Sequence, residues 1–376
     1  MEKRAEMYDY IERGRQCYQL LQDDLSRKIF EIRLVLDYNA SRENVKKLVA
    51  LSEQQTWMDA MEESIFSITR KMKEDPKKLV LYGTNVTGRT IAECLLEKGV
   101  EFYGFCGRRA KEFPNGLMGK PVILPEYLFQ SSDAFYVIVS ACESADEITN
   151  ILKENHFPEE QILFNFKPEN MEDYQYFDFP SLFRRGTALV DGGCLNCRTS
   201  YLFVDWCEGE YSKIFAFEPD PISASICEEN LSIKKIKNFH LIQAGLSDHE
   251  GEVMFRTGLY NCSHIVQEDS KEENIVAIPV TTIDHTVGEE TVGFIKMDIE
   301  GAEFDALHGA KGVIVRDKPL LAISAYHRIG DMLAIMDYLR GLVPEYRFWL
   351  RHYSVGTADT VLYASIDKNS GISCTK

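Results

Sequence analysis

The chain contains no run approaching the roughly 20 consecutive apolar residues that a bilayer span requires. Its opening MEKRAEMYDYIERGR is charged where a secretion signal would need an apolar centre. These two absences predict a cytoplasmic protein without a membrane span. Positive charge is also short: 42 Lys and Arg stand against 59 Asp and Glu, a formal net charge of −17. A field of that sign repels phosphate backbones, which argues against a nucleic-acid or anionic-membrane partner. Closely spaced cysteines are scarce as well. Ten cysteines are scattered along 376 residues without the density of a disulfide scaffold, which suits a reducing compartment. The one close pair, Cys194 and Cys197, has no second CxxC or HxxxH to complete a zinc site, so no metal is assigned.

What remains is ordinary globular material, 45% hydrophobic and 27% charged, long enough for on the order of two or three domains. Residues 1–75 read as helical, because Tyr8, Ile11, Cys17, Leu20, Leu21 and Leu25 recur near a period of 3.6. Asn39 to Glu43 offers a break, with Ser41 suited to cap the next helix. Helices of this kind cover a neighbouring domain or pair with a second copy, so a homodimer through them is expected.

Residues 76–166 read as a small Rossmann-like α/β domain. A strand at Lys78–Tyr82, a turn from Gly83 to Gly88 and a helix at Arg89–Lys98 open it. Strands at Val100–Cys106 and Phe135–Ser140 and a helix at Ala145–His156 follow. The glycine turn suits a phosphate at a helix N-terminus. The second strand, however, runs into Gly107 where a ribose-binding acid would stand, which argues against NAD. Through LYGTNVTG, GFCGRR and GKPVILPEYL this block resembles the nucleotide-binding-like domain of sugar-modifying and polysaccharide-biosynthesis proteins. We read it as a docking or recognition module.

Residues 167–376 begin with a polar, aromatic bridge, Lys167 to Phe183, and continue as a larger α/β pattern. Apolar runs predict strands at Thr187–Val190, Lys213–Phe217, Phe239–Gln243, Gly293–Met297, Leu320–Ser324, Tyr346–Arg351 and Thr360–Ala364. Seven strands ending in an antiparallel hairpin give a doubly wound sheet, the plan of the class I methyltransferase fold.

In such sheets ligands bind over the carboxyl ends of the strands, so the strand-end residues carry the functional expectation. The first strand ends in Asp191-Gly192-Gly193, a turn that lets a ligand approach backbone. The second ends at Glu218, placed to accept both hydroxyls of a ribose, and the third is followed by Gly245, Ser247 and Asp248, suited to flank an adenine. The fourth ends in Asp298 and Glu300 and enters a helix beginning at Glu303, an acid that suits a helix N-terminus.

VDGG (190–193), FEPDP (217–221), GLSD (245–248), TTIDH (281–285) and FIKMDIEGAE (294–303) together resemble the FkbM-type methyltransferases. The similarity extends from Tyr176 to the end. It implies an S-adenosylmethionine-dependent O-methyltransferase acting on a sugar, glycan or related small-molecule hydroxyl. By that resemblance Asp191, Gly192, Gly193, Glu218, Gly245, Ser247 and Asp248 belong to the cofactor site, with Asp298 and Glu300 between cofactor and acceptor. The chain departs from the family's first loop by placing Cys197 and Arg198 where a glycine and often an acid stand. Cys197 is expected to crowd the methionine moiety and Arg198 to reverse a charge. A chain disabled in this way would be a non-catalytic binding or scaffold protein of glycan biosynthesis; binding is favoured because Glu218 and Asp298 are intact.

O-methylation needs an aligned hydroxyl and a group to receive its proton. His327, with an ordinary pKa near working pH, is the expected base, oriented or replaced by Asp298 or Glu300. His352, inside the terminal hairpin, is a weaker candidate, and Lys296, inside a strand, is expected to pair with a nearby acid.

Overall fold

Unbroken apolar strands require a sheet covered on both faces, and that is where these strands lie. The computed structural model describes residues 2–52, 55–141, 144–165, 175–257, 263–266 and 274–366. In it β1 (Ala188–Gly192), β2 (Ile214–Phe217), β3 (Phe239–Ile242), β4 (Val292–Met297), β5 (Leu320–Ser324), β6 (Arg347–His352) and β7 (Thr360–Ser365) form one sheet. The spatial order is β6-β7-β5-β4-β1-β2-β3. β7 runs antiparallel to both β5 and β6, and the other pairs are parallel. Every residue of β1, β4, β5 and β7 is buried. The chain builds outward from β1 through β2 to β3, then returns to place β4 on the other side of β1. The strand order therefore reverses between β1 and β4, where the carboxyl ends open a crevice.

A second, four-stranded sheet fills the sequence between β3 and β4. Its strands are Gly245–Leu246, Gly251–Arg256, His264–Ile265 and Ile275–Thr281, the second antiparallel to the fourth. The expected strand list omitted it, because two of these strands are only two residues long and the other two are partly exposed.

The chain divides into two compact units. The first comprises the described residues of 1–44, 172–352 and 358–376, and so includes the helices Glu2–Leu20 and Asp24–Tyr38 with both sheets above. Asp23 caps the second helix through Ser26 N at 2.7 Å, and the Ser26 hydroxyl accepts from Leu350 N of β6 at 2.9 Å. Of the predicted bridge, 167–174 lies outside the described residues, as does the boundary at 166–167. The aromatic residues of the remainder are buried: Phe177 and Phe183 pack their rings around Trp206 and Phe294.

The second unit comprises the described residues of 45–171 and 353–357. It holds a parallel sheet in the order Val122–Ile123, Gly104–Cys106, Lys78–Tyr82, Phe135–Val139 and Ile162–Asn165. The two outer strands were not expected, being short and only partly buried. The glycine turn has a packing reason: a Cβ on Gly88 would lie 2.3 Å from the Gly83 carbonyl oxygen.

Candidate active site

A cleft lies over the carboxyl ends of β1, β2 and β4, with Gly193, Glu218, Gly245, Asp298 and Glu300 among its walls. About 720 Å³ of space lies between those walls, open solvent included.

Its floor depends on a buried ion pair. Lys296 Nζ on β4 is 3.2 Å from Asp191 Oδ1 on β1, and it donates to the carbonyls of Gly192 at 3.0 Å and Gly193 at 2.7 Å. The Ser200 hydroxyl donates to the other Asp191 oxygen at 2.7 Å. Burial opposes the Lys296 charge, but Asp191 and Asp298 outweigh it and raise its pKa. Asp191 is therefore fully enclosed and does not line the cleft. It holds the turn in shape through Lys296. Gly193 has φ 72°, and a Cβ there would lie 2.0 Å from the Asp298 carbonyl oxygen, so only glycine lets the turn pass this close to the end of β4.

Glu218 ties two loops together. Its Oε2 accepts from Leu195 N at 2.8 Å and its Oε1 from Asp220 N at 2.9 Å. Burial pushes its pKa up to about 7. Next to it, Asp220 caps the helix Pro221–Lys234 with one oxygen and accepts from the Thr257 and Ser263 hydroxyls with the other.

At the end of β4, Asp298 Oδ2 accepts from the Tyr176 hydroxyl at 2.7 Å, and Tyr326 approaches Oδ1 at 3.4 Å. His327 Nε2 stands 3.5 Å from Asp298 Oδ1 and 3.7 Å from Glu300 Oε1, while Nδ1 is 3.0 Å from Glu303 Oε1. Burial favours the neutral ring, but Glu300, Glu303 and Asp298 overcome it and push the pKa up to about 11. This raised pKa differs from the expectation that His327 titrates near neutrality, and its cause is the set of carboxylates gathered around the ring. Glu303, read as a helix-end acid, is buried and accepts from Ile299 N at 2.8 Å.

Other expected residues are not brought to the cleft. Gly192 packs under Leu246. Ser247 and Asp248 engage His249, at 3.2 and 2.6 Å, and line no wall. His352 is buried and contacts the Thr360 hydroxyl at 3.0 Å within β6 and β7. Neither Cys197 nor Arg198 lines the cleft. Cys197 is buried, disulfide-paired with Cys227, with Cα atoms 5.3 Å apart, and Cys194 Sγ lies 3.7 and 3.9 Å from the two sulfurs. The crowding expected of Cys197 therefore does not arise.

The sequence reading missed the apolar wall, in which Phe255, Ile265 and Ile278 come from the four-stranded sheet. The apolar residues Val253–Phe255 and Ile275–Val280 were the available signal. It also missed Tyr176, for which local sequence offers no signal.

The mixed α/β architecture, with a cleft over strand ends at the point of reversal, fits the class I methyltransferase fold. More particularly, the family model for the methyltransferase FkbM domain matches residues 194–350. Among solved structures, a methyltransferase FkbM from Methylobacillus flagellatus KT is similar, at 19% identity and TM-score 0.43, over 81% of this chain and 99% of that one. An rRNA methylase from Streptococcus thermophilus is similar at 17% identity and TM-score 0.34, over 50% and 93%. A protein of Streptococcus mutans in complex with SAH is similar at 13% identity and TM-score 0.35, over 52% and 97%. Comparison with curated proteins gave no match. No described helix is long and apolar enough to cross a membrane.

Proposed function

We propose that this chain is an S-adenosylmethionine-dependent methyltransferase acting on a hydroxyl of a sugar, glycan or related small molecule in the cytoplasm. The reading is carried by one observation: the stretch matching the FkbM domain encloses a cleft walled by the Glu218 carboxylate and the Asp298–Glu300 strand end. The residues present suit the cofactor. Gly193 lines the cleft with backbone alone, and backbone amides occupy two of the roughly four lone-pair sites of Glu218, leaving acceptors for a ribose diol.

When bound, S-adenosylmethionine supplies the methyl group as an electrophile. The chain's part is to hold donor and acceptor in line, exclude water with the apolar wall, and receive the hydroxyl proton at the acidic end of β4. Glu300 suits that last task best, since its side chain is a third exposed whereas Asp298 already accepts from Tyr176. The N-terminal helices are the surface we assign to self-association, which sedimentation would test.

Calorimetric titration with S-adenosylmethionine and S-adenosylhomocysteine tests the reading. Saturable binding that Glu218→Ala abolishes supports it. No heat, with Glu218→Ala indistinguishable from wild type, would sink it.

A further inference from the structure

The end of β4 gathers more charge than proton transfer needs. Asp298, Glu300 and Glu303 surround a single imidazole, and their approach to it is two-sided. We propose that Asp298, Glu300 and His327 form a site for one divalent cation, of the class that accepts mixed oxygen and nitrogen ligands, such as Mn²⁺.

One ligand atom from each of Asp298, Glu300 and His327 lies within 4.8 Å of the other two, and His327 Nε2 stands 3.5 Å from Asp298 Oδ1 and 3.7 Å from Glu300 Oε1. Around an octahedral ion with bonds of about 2.1 Å, neighbouring ligands stand roughly 3 Å apart, so closure onto the ion needs a contraction of about 1 Å. At 3.5 and 3.7 Å the imidazole is too far from either carboxylate for a direct hydrogen bond, and the gap is that of a bridging particle.

A second observation comes from His327 itself. Its side chain is only 9% exposed, and although Glu303 Oε1 lies 3.0 Å from Nδ1, neither ring nitrogen makes a well-directed hydrogen bond. The Nδ1 side faces Glu303, a carboxylate that is 1% exposed and fixed by the Ile299 amide. Metal-bound imidazoles are oriented in this way, one nitrogen facing a carboxylate so that the other presents its lone pair. The Tyr176 hydroxyl does the same for Asp298: it engages Oδ2 and leaves Oδ1 turned toward His327. Two carboxylates and one imidazole, with no thiolate, favour Mn²⁺, Fe²⁺, Co²⁺ or Zn²⁺ over a soft ion.

Asp298 and Glu300 both line the cleft, so the remaining coordination positions would open toward an acceptor. There the ion would polarise a hydroxyl and ease the loss of its proton. That role rests on the methyl-transfer reading, whereas the cation site itself rests on the three side chains.

The test is an electron paramagnetic resonance titration of the metal-stripped full chain with Mn²⁺, in which the free-ion signal falls as the ion binds. We expect one saturable site, weakened at least about tenfold by Glu300→Gln and roughly 10- to 100-fold by Glu303→Gln, whose carboxylate faces His327 and accepts from the Ile299 amide. Glu300 is partly exposed, so its variant folds, and circular dichroism checks this. The absence of saturable binding, or equal affinity in wild type and Glu300→Gln, overturns the proposal. Titrating the same preparations with S-adenosylhomocysteine separates the two readings. Binding of that ligand without Mn²⁺ overturns the cation site alone, and binding of Mn²⁺ without it supports the site while removing the methyltransferase reading.

Discussion

Lys296 on β4 reaches across to Asp191 on β1 in the middle of the sheet, Nζ to Oδ1 at 3.2 Å, with both side chains shut off from water. The pair joins the two strands between which the topology reverses, and the same ammonium holds the carbonyls of the glycine turn. Removing one partner leaves the other charge buried and unpaired. Lys296→Met is therefore expected to destabilise the fold by about 3–5 kcal/mol, with Asp191→Asn added to it recovering part of the loss. Urea unfolding of the single and double variants checks this.

Glu218 gives a pH dependence. Its folded pKa of about 7 lies above the usual carboxylate value because it is buried. The folded chain thus holds this proton more tightly than the unfolded chain, so the stability from Glu218 is present at low pH and lost as pH rises toward 7. Cofactor affinity runs the other way, because ribose hydroxyls need the ionised carboxylate. Affinity for S-adenosylhomocysteine should fall about tenfold from pH 8 to pH 6, with a flat profile in Glu218→Gln. Calorimetry across that range reads both.

Gly193→Ala places a Cβ 2.0 Å from the Asp298 carbonyl oxygen in a backbone with φ 72°. Overpacking and left-handed strain act together, and we expect a loss of about 2–4 kcal/mol with cofactor binding abolished. Thermal unfolding with and without S-adenosylhomocysteine measures both effects.

Cys197 sits in the left-handed region at φ 62°, just ahead of the helix Arg198–Trp206. Cys197→Gly and Cys197→Ala lose the same sulfur contacts, so comparing them isolates the backbone. Glycine should be the more stable variant by about 1 kcal/mol, the reverse of the order inside a helix. Chemical denaturation of the two variants decides it.

Much of the strand framework was legible because buried parallel strands are written as apolar runs, and β1 through β7 fall within a few residues of the expected ranges. The strand-end acids were legible for a related reason: a polar residue just after such a run must lie at the sheet's edge. The four-stranded sheet was harder to read. Gly251–Arg256 and Ile275–Thr281 are partly exposed, and the second carries Pro279, a residue that argues against a strand.

The sequence alone determined where chain and sheet edge meet: the Asp191-Gly192-Gly193 turn, Glu218, and the Asp298–Glu300 end of β4. Which of these acids faces the cleft was a tertiary decision. Asp191 turns inward because β1 lies beside β4 in a register that pairs it with Lys296. The surroundings of His327 were decided in the same way, since Glu300, Glu303 and Asp298 converge on it from another element and raise its pKa. A residue's type and its place along a strand follow from local periodicity. Its charge, partners and exposure depend on which distant side chains the packed sheet brings within a few ångströms.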